Sequence, residues 1–166
     1  MIADAPDDAS RERREVFALF GLASYHAQCL ERQIGIMLST CYNHAFSTAS
    51  PDARDLIFDE HFSKTLGALI RKLESTITVP PNLAESLQAA LKKRNWLIHH
   101  YFYDRASDIL SSPGRHAMMK ELTELYMEFN RLDTHLDSVM DRWCEKAGLS
   151  KHIEEAMSQL SNEKLG

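Results

Sequence analysis

Several features that identify common classes of protein are scarce or missing in this sequence. It has only three cysteines, Cys29, Cys41 and Cys144, among 166 residues. Their odd number and wide spacing predict reduced thiols rather than a disulfide framework. No apolar run approaches the roughly 20 residues that span a bilayer, and the acidic start MIADAPDDAS is unlike a secretory signal. We therefore expect a cytoplasmic protein with no membrane partner.

The motifs of metal enzymes and phosphate-binding loops are missing as well. Eight histidines occur, but none has a glutamate three residues before it or a second histidine four residues away. The ligand pairs that di-metal bundles and zinc proteases need are therefore not present. There is no Cys-x-x-Cys, no glycine-rich phosphate loop and no nucleophile elbow. We expect no metal and no other cofactor.

The overall charge is mildly acidic, with 24 acidic residues against 19 basic ones and a net charge of −5. This balance argues against a general nucleic-acid coat protein, which would be basic, but it is compatible with a local basic site. The hydrophobic and charged shares of 44% and 26% are those of a globular domain. The length suits a single core.

Helical periodicity, in contrast, is abundant. A first helix is predicted from about Ser10, its N-cap, to Phe46. Between Val16 and Phe46 only Glu31 and Arg32 are charged. A helix so poor in charge is expected either at the centre of a bundle or in a subunit interface.

Further segments complete an all-α prediction. After a break at Ser50-Pro51, a short helix leads into a second helix at 62–74, in which Gly67 would permit close contact between helices. TITVPP is expected to be extended, because residues before proline avoid the helical region. A third helix runs from about Pro81 to Ala106 and is ended by SSPGR.

A long fourth helix shows apolar positions at alternating spacings of four and three, typical of shallow helix packing. Gly148 ends it, and Ser150 caps a last helix to about Lys164. The predicted fold is an antiparallel bundle of four to five helices. It comprises a flexible tail at 1–9, the bundle at 10–148 and an additional C-terminal helix at 149–166. The seam of the fourth helix is formed by Met118, Leu122, Leu125, Phe129, Leu132, Leu136, Val139 and Trp143.

One charged residue of the third helix lies where its periodicity requires an apolar one. Arg94 falls on the same side as the leucines at 83, 87, 91 and 97. A buried arginine loses its hydration and needs a partner, and the first helix offers Glu31 on its own apolar side. One interpretation is a structural Arg94–Glu31 pair that fixes the register of the two helices, with Asn95 and His99 as partly buried polar groups.

The same stretch, RNWLIHHY, resembles a known motif. Arg94-Asn95-x3-His99 matches the Arg-x4–6-His motif of the HEPN superfamily, small helical bundles found in prokaryotic toxins, defence systems and RNA-processing proteins. With Tyr101 it also resembles the Arg-x4-His-x-Tyr pattern of HEPN toxins that are paired with minimal nucleotidyltransferase antitoxins. The residue-level resemblance covers positions 94–101.

The resemblance implies a metal-independent endoribonuclease that acts on RNA as a homodimer, as the toxin of a toxin–antitoxin or phage-defence system. His99 would be the general base toward a ribose 2′-OH or the general acid toward the leaving 5′-oxygen. Arg94 would hold the scissile phosphate, and Asn95 would orient the phosphate or His99. The products would carry a 2′,3′-cyclic phosphate. Local positive charge for RNA would come from Lys92, Lys93 and Arg105.

Two-fold symmetry would bring both copies of Arg94 and His99 into one groove, with Glu31 beside Arg94. By the same resemblance, Tyr101 would accept AMP groups from a nucleotidyltransferase-type antitoxin, although its position among Leu97 and Ile98 more strongly predicts a core tyrosine with a bonded hydroxyl. Two alternatives to the nuclease stay open. One is a non-catalytic HEPN-fold module that binds nucleotide or RNA. The other is a helical protein-interaction module in which Arg94 and Glu31 form only a structural pair.

Overall fold

A computed structural model describes residues 7–45 and 65–149, with side chains up to residue 41 in the first range. Within these two ranges the chain forms helices and no strands, which confirms the predicted all-α class for this part. None of the described helices combines the length and apolarity that a membrane span needs. The elements are α1 (Asp8–Ala45), α2 (Leu66–Thr76), α3 (Pro81–His99), α4 (Tyr101–Asp104), a 3-10 turn (Asp108–Leu110) and α5 (Ser112–Ala147).

Some predicted elements lie outside the described residues. These are the break at Ser50-Pro51, the short helix after it, the start of the second helix at 62 and the helix from Ser150 to Lys164. The chain divides into two units, one up to Asp133 and one from Thr134 onward. The candidate site lies in the first unit.

α1 begins at Asp8, so its N-cap lies three residues earlier than predicted. Its N-cap is Asp7 rather than Ser10, because the Asp7 carboxylate accepts a hydrogen bond from the Ser10 backbone N–H at 2.7 Å. Hydrogen bonding to Ser10 also holds the pKa of Asp7 below its usual value. The boundary predicted at residue 10 is therefore wrong, since residues 8 and 9 belong to the helix.

The core of the first unit forms where the apolar sides of the helices meet. α1 packs on α2 and α3, and α2 packs on α3. Of the predicted apolar positions, Leu91, Val139 and Trp143 are only half-buried and Ile98 is exposed. Most of the others are buried, which confirms the periodicity at those positions. They include Val16, Ala23, Ala27, Leu30, Ile34 and Leu38 in α1, Leu66, Leu69, Ile70 and Leu73 in α2, Leu83, Leu87 and Leu97 in α3, and Met118, Leu122, Leu125, Phe129 and Leu132 in α5.

Gly67 lies close to α3, because a Cβ atom on it would be 3.3 Å from Leu91 Cδ2. A shift of the Leu91 side chain by a few tenths of an ångström would make room for that atom, so both interpretations of Gly67, as a close-contact residue and as a merely tolerated one, stay open. The N-cap of α2 is Thr65, whose hydroxyl accepts from the Ala68 N–H at 3.4 Å. Its C-cap is Ile77, which is extended with φ −130° and ψ 159°, as predicted for the TITVPP stretch.

The third helix is shorter than predicted. α3 ends at His99 instead of continuing to Ala106, because His100 has φ −129° and ψ −19°, outside the helical region. α4 then resumes at Tyr101. The break lies directly after the histidine of the motif.

Contacts across the break explain why the chain bends there. The Trp96 indole N–H donates to Asp104 Oδ2 at 2.7 Å. In a straight helix, Cα atoms eight residues apart would be separated by about 12 Å. The Arg105 guanidinium also lies 5.4 Å from the centre of the Trp96 ring, a cation–π distance. The bend brings these three side chains together.

SSPGR begins a helix, which corrects the prediction that it only ends one. The Ser111 hydroxyl accepts from the Gly114 N–H at 3.1 Å, and Pro113 occupies the first turn of α5, where its missing N–H costs nothing. A Cβ atom on Gly114 would lie 2.2 Å from the Asp108 carbonyl oxygen. Only glycine fits at position 114.

An ion pair between a buried arginine and a partly exposed glutamate joins the start of α1 to the start of α5. Arg115 is 4% exposed, and its Nε donates to Glu12 Oε2 at 2.7 Å while its Nη1 donates to the Ile109 carbonyl at 3.0 Å. The Ser112 hydroxyl donates to the other oxygen of Glu12 at 2.8 Å. Hydrogen bonds from Ser112 and then Arg115 hold the pKa of Glu12 below its ordinary value.

Glu12 makes the stability of the fold sensitive to acid. Its pKa is lower in the folded chain, so its contribution is complete above the unfolded value near 4.5 and is lost as the pH falls through the folded value. We expect Glu12→Gln to flatten the decline of the unfolding free energy below about pH 5, measured by urea unfolding at each pH. Asp8→Asn, which removes an exposed carboxylate, should keep the wild-type slope. Equal slopes for Glu12→Gln and wild type would contradict the assignment.

In the second unit, α5 ends at Gly148, as predicted. Gly148 has φ +73°, a conformation that favours glycine. Its N–H donates to the Glu145 carbonyl at 3.1 Å, and the Leu149 N–H donates to the Cys144 carbonyl at 2.9 Å. Burial raises the pKa of the Cys144 thiol. All three cysteines are free thiols, which confirms the prediction from their number.

Candidate functional site

Arg94 points toward α1 and meets Glu31, as the structural interpretation predicted. Arg94 Nη2 and Glu31 Oε2 are 3.4 Å apart, and the two side chains are 26% and 22% exposed. The contact is therefore half-shielded rather than buried. It is also longer than the 2.7–2.9 Å that is usual for charge-assisted hydrogen bonds. Glu31 thus holds Arg94 loosely.

Asn95 contributes a second contact to the guanidinium. Arg94 Nη1 donates to Asn95 Oδ1 at 3.2 Å. A guanidinium has five N–H donors, so an anion at the open side of the pair would still find donors on Arg94. Asn95 therefore helps to orient the guanidinium of Arg94, which would bind that anion.

His99 is more exposed than the structural interpretation of the Arg94–Glu31 pair predicted. Asn95 and His99 were expected to be partly buried, and this is wrong, since both are exposed. Five residues along a helix correspond to a rotation of about 140° and a rise of about 7.5 Å. Arg94 and His99 of one copy therefore point in different directions and do not converge on one small group.

Tyr101 belongs to the core. Its side chain is 1% exposed, its hydroxyl donates to the Met118 carbonyl at 3.3 Å, and its ring packs edge-on against Trp96. Burial, followed by the nearby charge of Glu121, raises the pKa of this phenol. The prediction of a core tyrosine with a bonded hydroxyl is confirmed. In this conformation the hydroxyl is not accessible to a modifying partner.

Two of the three predicted RNA-binding cations are paired with α5. Arg105 Nε and Nη2 donate to the two carboxylate oxygens of Glu121 at 2.9 and 2.7 Å, and Lys93 Nζ pairs with Glu128. Lys92 is exposed. Much of the local positive charge that the sequence predicted is therefore neutralised by glutamates from another helix.

The groove between α3 and α5 lies on a different side of α3 from Arg94. It encloses about 350 Å³ and carries more acidic than basic groups, which would repel a nucleic-acid backbone. Among the described residues, no group of three or more His, Cys, Asp or Glu side chains could hold a metal ion. The groove is lined by Lys93, Trp96, Glu121, Glu124, Leu125 and Glu128.

Two exposed apolar side chains, Ile98 and Phe17, were not predicted by the sequence pattern. Ile98 follows Arg94 by one turn and is 41% exposed, although its periodicity predicted the apolar side. Phe17 is 53% exposed, and its ring centre lies 5.4 Å from that of Phe102. The charge-poor middle of α1 was the signal in the sequence that pointed to such a surface.

Comparison with known proteins adds no assignment, since the chain matches no family model, no curated protein and no solved structure. The function is therefore argued from these residues and their geometry.

Proposed function

We propose that the chain is a metal-independent endoribonuclease of HEPN type that acts as a homodimer, as the toxin of a toxin–antitoxin or phage-defence system. The observation that carries the proposal is the arrangement on α3. A loosely held arginine, Arg94, has its guanidinium oriented by Asn95, and His99 is exposed at the end of the same helix. These are the side chains that phosphodiester cleavage without a metal requires.

The reaction would proceed by attack of a ribose 2′-oxygen on the adjacent phosphorus. His99 takes the proton of the 2′-OH, the new P–O2′ bond forms and the P–O5′ bond breaks. A second imidazole, His99 of the other copy, protonates the leaving 5′-oxygen. The products are a 2′,3′-cyclic phosphate and a 5′-OH. Arg94 donates to the non-bridging oxygens, where negative charge grows in the transition state.

A second copy is needed because Arg94 and His99 of one chain diverge around α3. In a two-fold dimer, Arg94 of one copy and His99 of the other approach the same phosphate. Arg94 leaves Glu31, or shares it, when the RNA phosphate binds. A nucleotidyltransferase-type antitoxin would add AMP at Tyr101 only after α4 opens, because the Tyr101 hydroxyl is bonded inside the core.

The test is the incubation of purified protein with total RNA and tRNA in EDTA, followed by analysis of the new ends. His99→Ala is the informative variant. His100→Ala is its matched control, because His100 is the neighbouring exposed histidine. Binding of RNA by wild type without cleavage would favour the non-catalytic nucleotide- or RNA-binding module instead.

The 3.4 Å contact between Arg94 and Glu31 favours a second candidate, a helical interaction protein in which this pair is only structural. Because the pair is partly exposed, we expect Arg94→Ala to lower the unfolding free energy by only about 1 kcal/mol. Arg94→Lys should keep most of that stability but lose the two-pronged phosphate contact. For the nuclease, both variants should cleave RNA at least about 100-fold more slowly. A folded Arg94→Lys protein that cleaves at the wild-type rate would contradict the role of Arg94.

A further inference from the structure

Tyr103 is the most exposed of the large apolar side chains that the structure describes. It is 86% exposed, whereas Tyr101, two residues earlier, is buried. At that exposure the faces of the Tyr103 ring are open to solvent. Aromatic rings gain free energy when their faces are covered, and this ring lies only four residues after His99. It is therefore a candidate contact for whatever binds at the motif.

The short helix that carries Tyr103 is tied to both neighbouring helices. Asp104 accepts a hydrogen bond from the Trp96 indole N–H of α3 at 2.7 Å. Arg105, which directly follows α4, donates to the two carboxylate oxygens of Glu121 in α5 at 2.9 and 2.7 Å. A ring on a backbone that is already fixed loses little conformational freedom when a ligand stacks on it. α4 therefore presents Tyr103 as a preformed surface.

The size and charge of these surroundings favour a nucleobase as the ligand. One ring is too small for a protein interface, which buries about 800 Å² on each partner, but it matches the face of a single base. The neighbouring carboxylate of Asp104 would repel a phosphate, whereas a base is uncharged. Proteins commonly hold single-stranded nucleic acid by stacking its bases on aromatic side chains. In a duplex both faces of a base are already stacked, so only an unpaired base can reach the ring.

We propose that Tyr103 stacks on an unpaired base of the RNA, close to the scissile phosphate at Arg94 and His99. This inference rests on the proposed function, because that function places RNA at His99. Four residues of chain span at most about 14 Å, so the stacked base belongs to a nucleotide within about two positions of the cut. Tyr103 holds the strand in place and takes no part in the proton transfers. The substrate is then a single strand or a loop.

Binding of an uncleavable RNA tests the contact separately from catalysis. A single-stranded oligonucleotide that contains all four bases and 2′-O-methyl groups cannot undergo attack by the 2′-OH. Its dissociation constant is measured with otherwise wild-type protein by fluorescence anisotropy. Tyr103→Ala should raise that constant at least about fivefold, the lower limit for the loss of one stacked base. Tyr103→Phe, which keeps the ring, should bind as tightly as wild type.

Two other exposed side chains provide the controls. Tyr25→Ala removes an exposed tyrosine of α1, and Leu110→Ala removes an aliphatic side chain that is 79% exposed. Both should bind the oligonucleotide like wild type, and circular dichroism should stay helical in all variants. Equal affinity of Tyr103→Ala and wild type would overturn the proposal and make the ring a contact for a protein partner instead. An equal loss in Tyr25→Ala, or no binding by wild type, would also overturn it.

Removal of single bases tests whether the ring touches a base at all. In a set of oligonucleotides with one abasic position each, one position should weaken binding to wild type more than the others do. At that position the loss should disappear in Tyr103→Ala, because removals of the two partners of one contact are not additive. Annealing of a complementary strand should also remove the difference between Tyr103→Ala and wild type. Abasic losses that are the same in both proteins would refute the stacking.

Failure of the stacking contact and failure of the nuclease give different results. With cleavable RNA, Tyr103→Ala should raise KM and leave kcat nearly unchanged, as expected for a contact made equally in the ground state and the transition state. Cleavage by Tyr103→Ala with the wild-type KM retains the nuclease and removes the contact. Binding that depends on Tyr103, without any cleavage by wild type, supports the contact and removes the nuclease.

Discussion

Wild-type protein should cleave RNA in the presence of EDTA, and His99→Ala should slow the reaction by about 10²–10⁴-fold, the usual contribution of general acid–base catalysis. The expected loss is large because the groove of the proposed dimer would contain two copies of His99, so the substitution would remove both the base and the acid. His99 is exposed at the end of α3, so its truncation leaves the core intact. Cleavage is measured as the appearance of fragments with 2′,3′-cyclic phosphate ends.

The control for this experiment is His100→Ala. His100 is also exposed and next in sequence, but it lies outside α3, in the break between α3 and α4. We expect it to keep nearly all activity. If both variants lose activity equally, the histidine of the motif has no special role. If wild type is inactive under all conditions while the protein is folded and dimeric, the nuclease is refuted.

Arg115→Ala should produce the largest loss of stability, about 2 kcal/mol, because it removes the charge-assisted hydrogen bonds of a buried guanidinium and the packing of a long side chain. The guanidinium is 4% exposed and joins Glu12 of α1 to the Ile109 carbonyl before α5. Without it, Glu12 keeps the hydrogen bond from Ser112 but loses the guanidinium that joins α1 to α5. The measurement is the midpoint and slope of urea unfolding, followed by circular dichroism.

Arg11→Ala is the matched control for Arg115→Ala. Arg11 also pairs with a carboxylate, Asp8, but its side chain is 61% exposed. Pairs this exposed contribute at most about 1 kcal/mol. Arg115→Met, which retains most of the packing, should fall between the two. Unfolding of Arg115→Ala at the same urea concentration as Arg11→Ala would show that the pair adds no stability.

The helices of this chain could be predicted from sequence because their signals are local. Apolar spacing identified the buried positions of α1 to α5, and Gly148 marked the end of α5. The break at His100 could not be predicted in this way, since nothing in the residue itself ends a helix. It is stabilised by a bond between Trp96 and Asp104 that forms only once the chain has bent.

In the candidate site, too, some contacts could be predicted from the sequence and others could not. Arg94 and Glu31 were predicted as partners because each was the one charge on an apolar side. The buried Arg115 was not predicted, because its partner Glu12 is 103 residues away in sequence. Its position three residues before Met118 continues the apolar spacing of α5 and could have indicated that it is buried. The pairing of Lys93 and Arg105 with glutamates of α5 was not predicted for the same reason, because the partners are far apart in sequence. Long-range pairs are set by packing, which periodicity does not reveal.

The pairing of Lys93 and Arg105 with glutamates of α5 has a consequence for how the proposed RNA complex would respond to ionic strength. Cations already paired within the protein displace no counterions from RNA when it binds. With about three phosphate contacts, among them Lys92 and an Arg94 that has left Glu31, the logarithm of the binding constant would fall against that of salt with a slope of about −2. Between 50 and 200 mM salt such a complex would lose about 16-fold in affinity, against about 10³-fold or more for a protein with six to ten phosphate contacts. The shape of an RNA strand, rather than its charge, would then decide where it is cut.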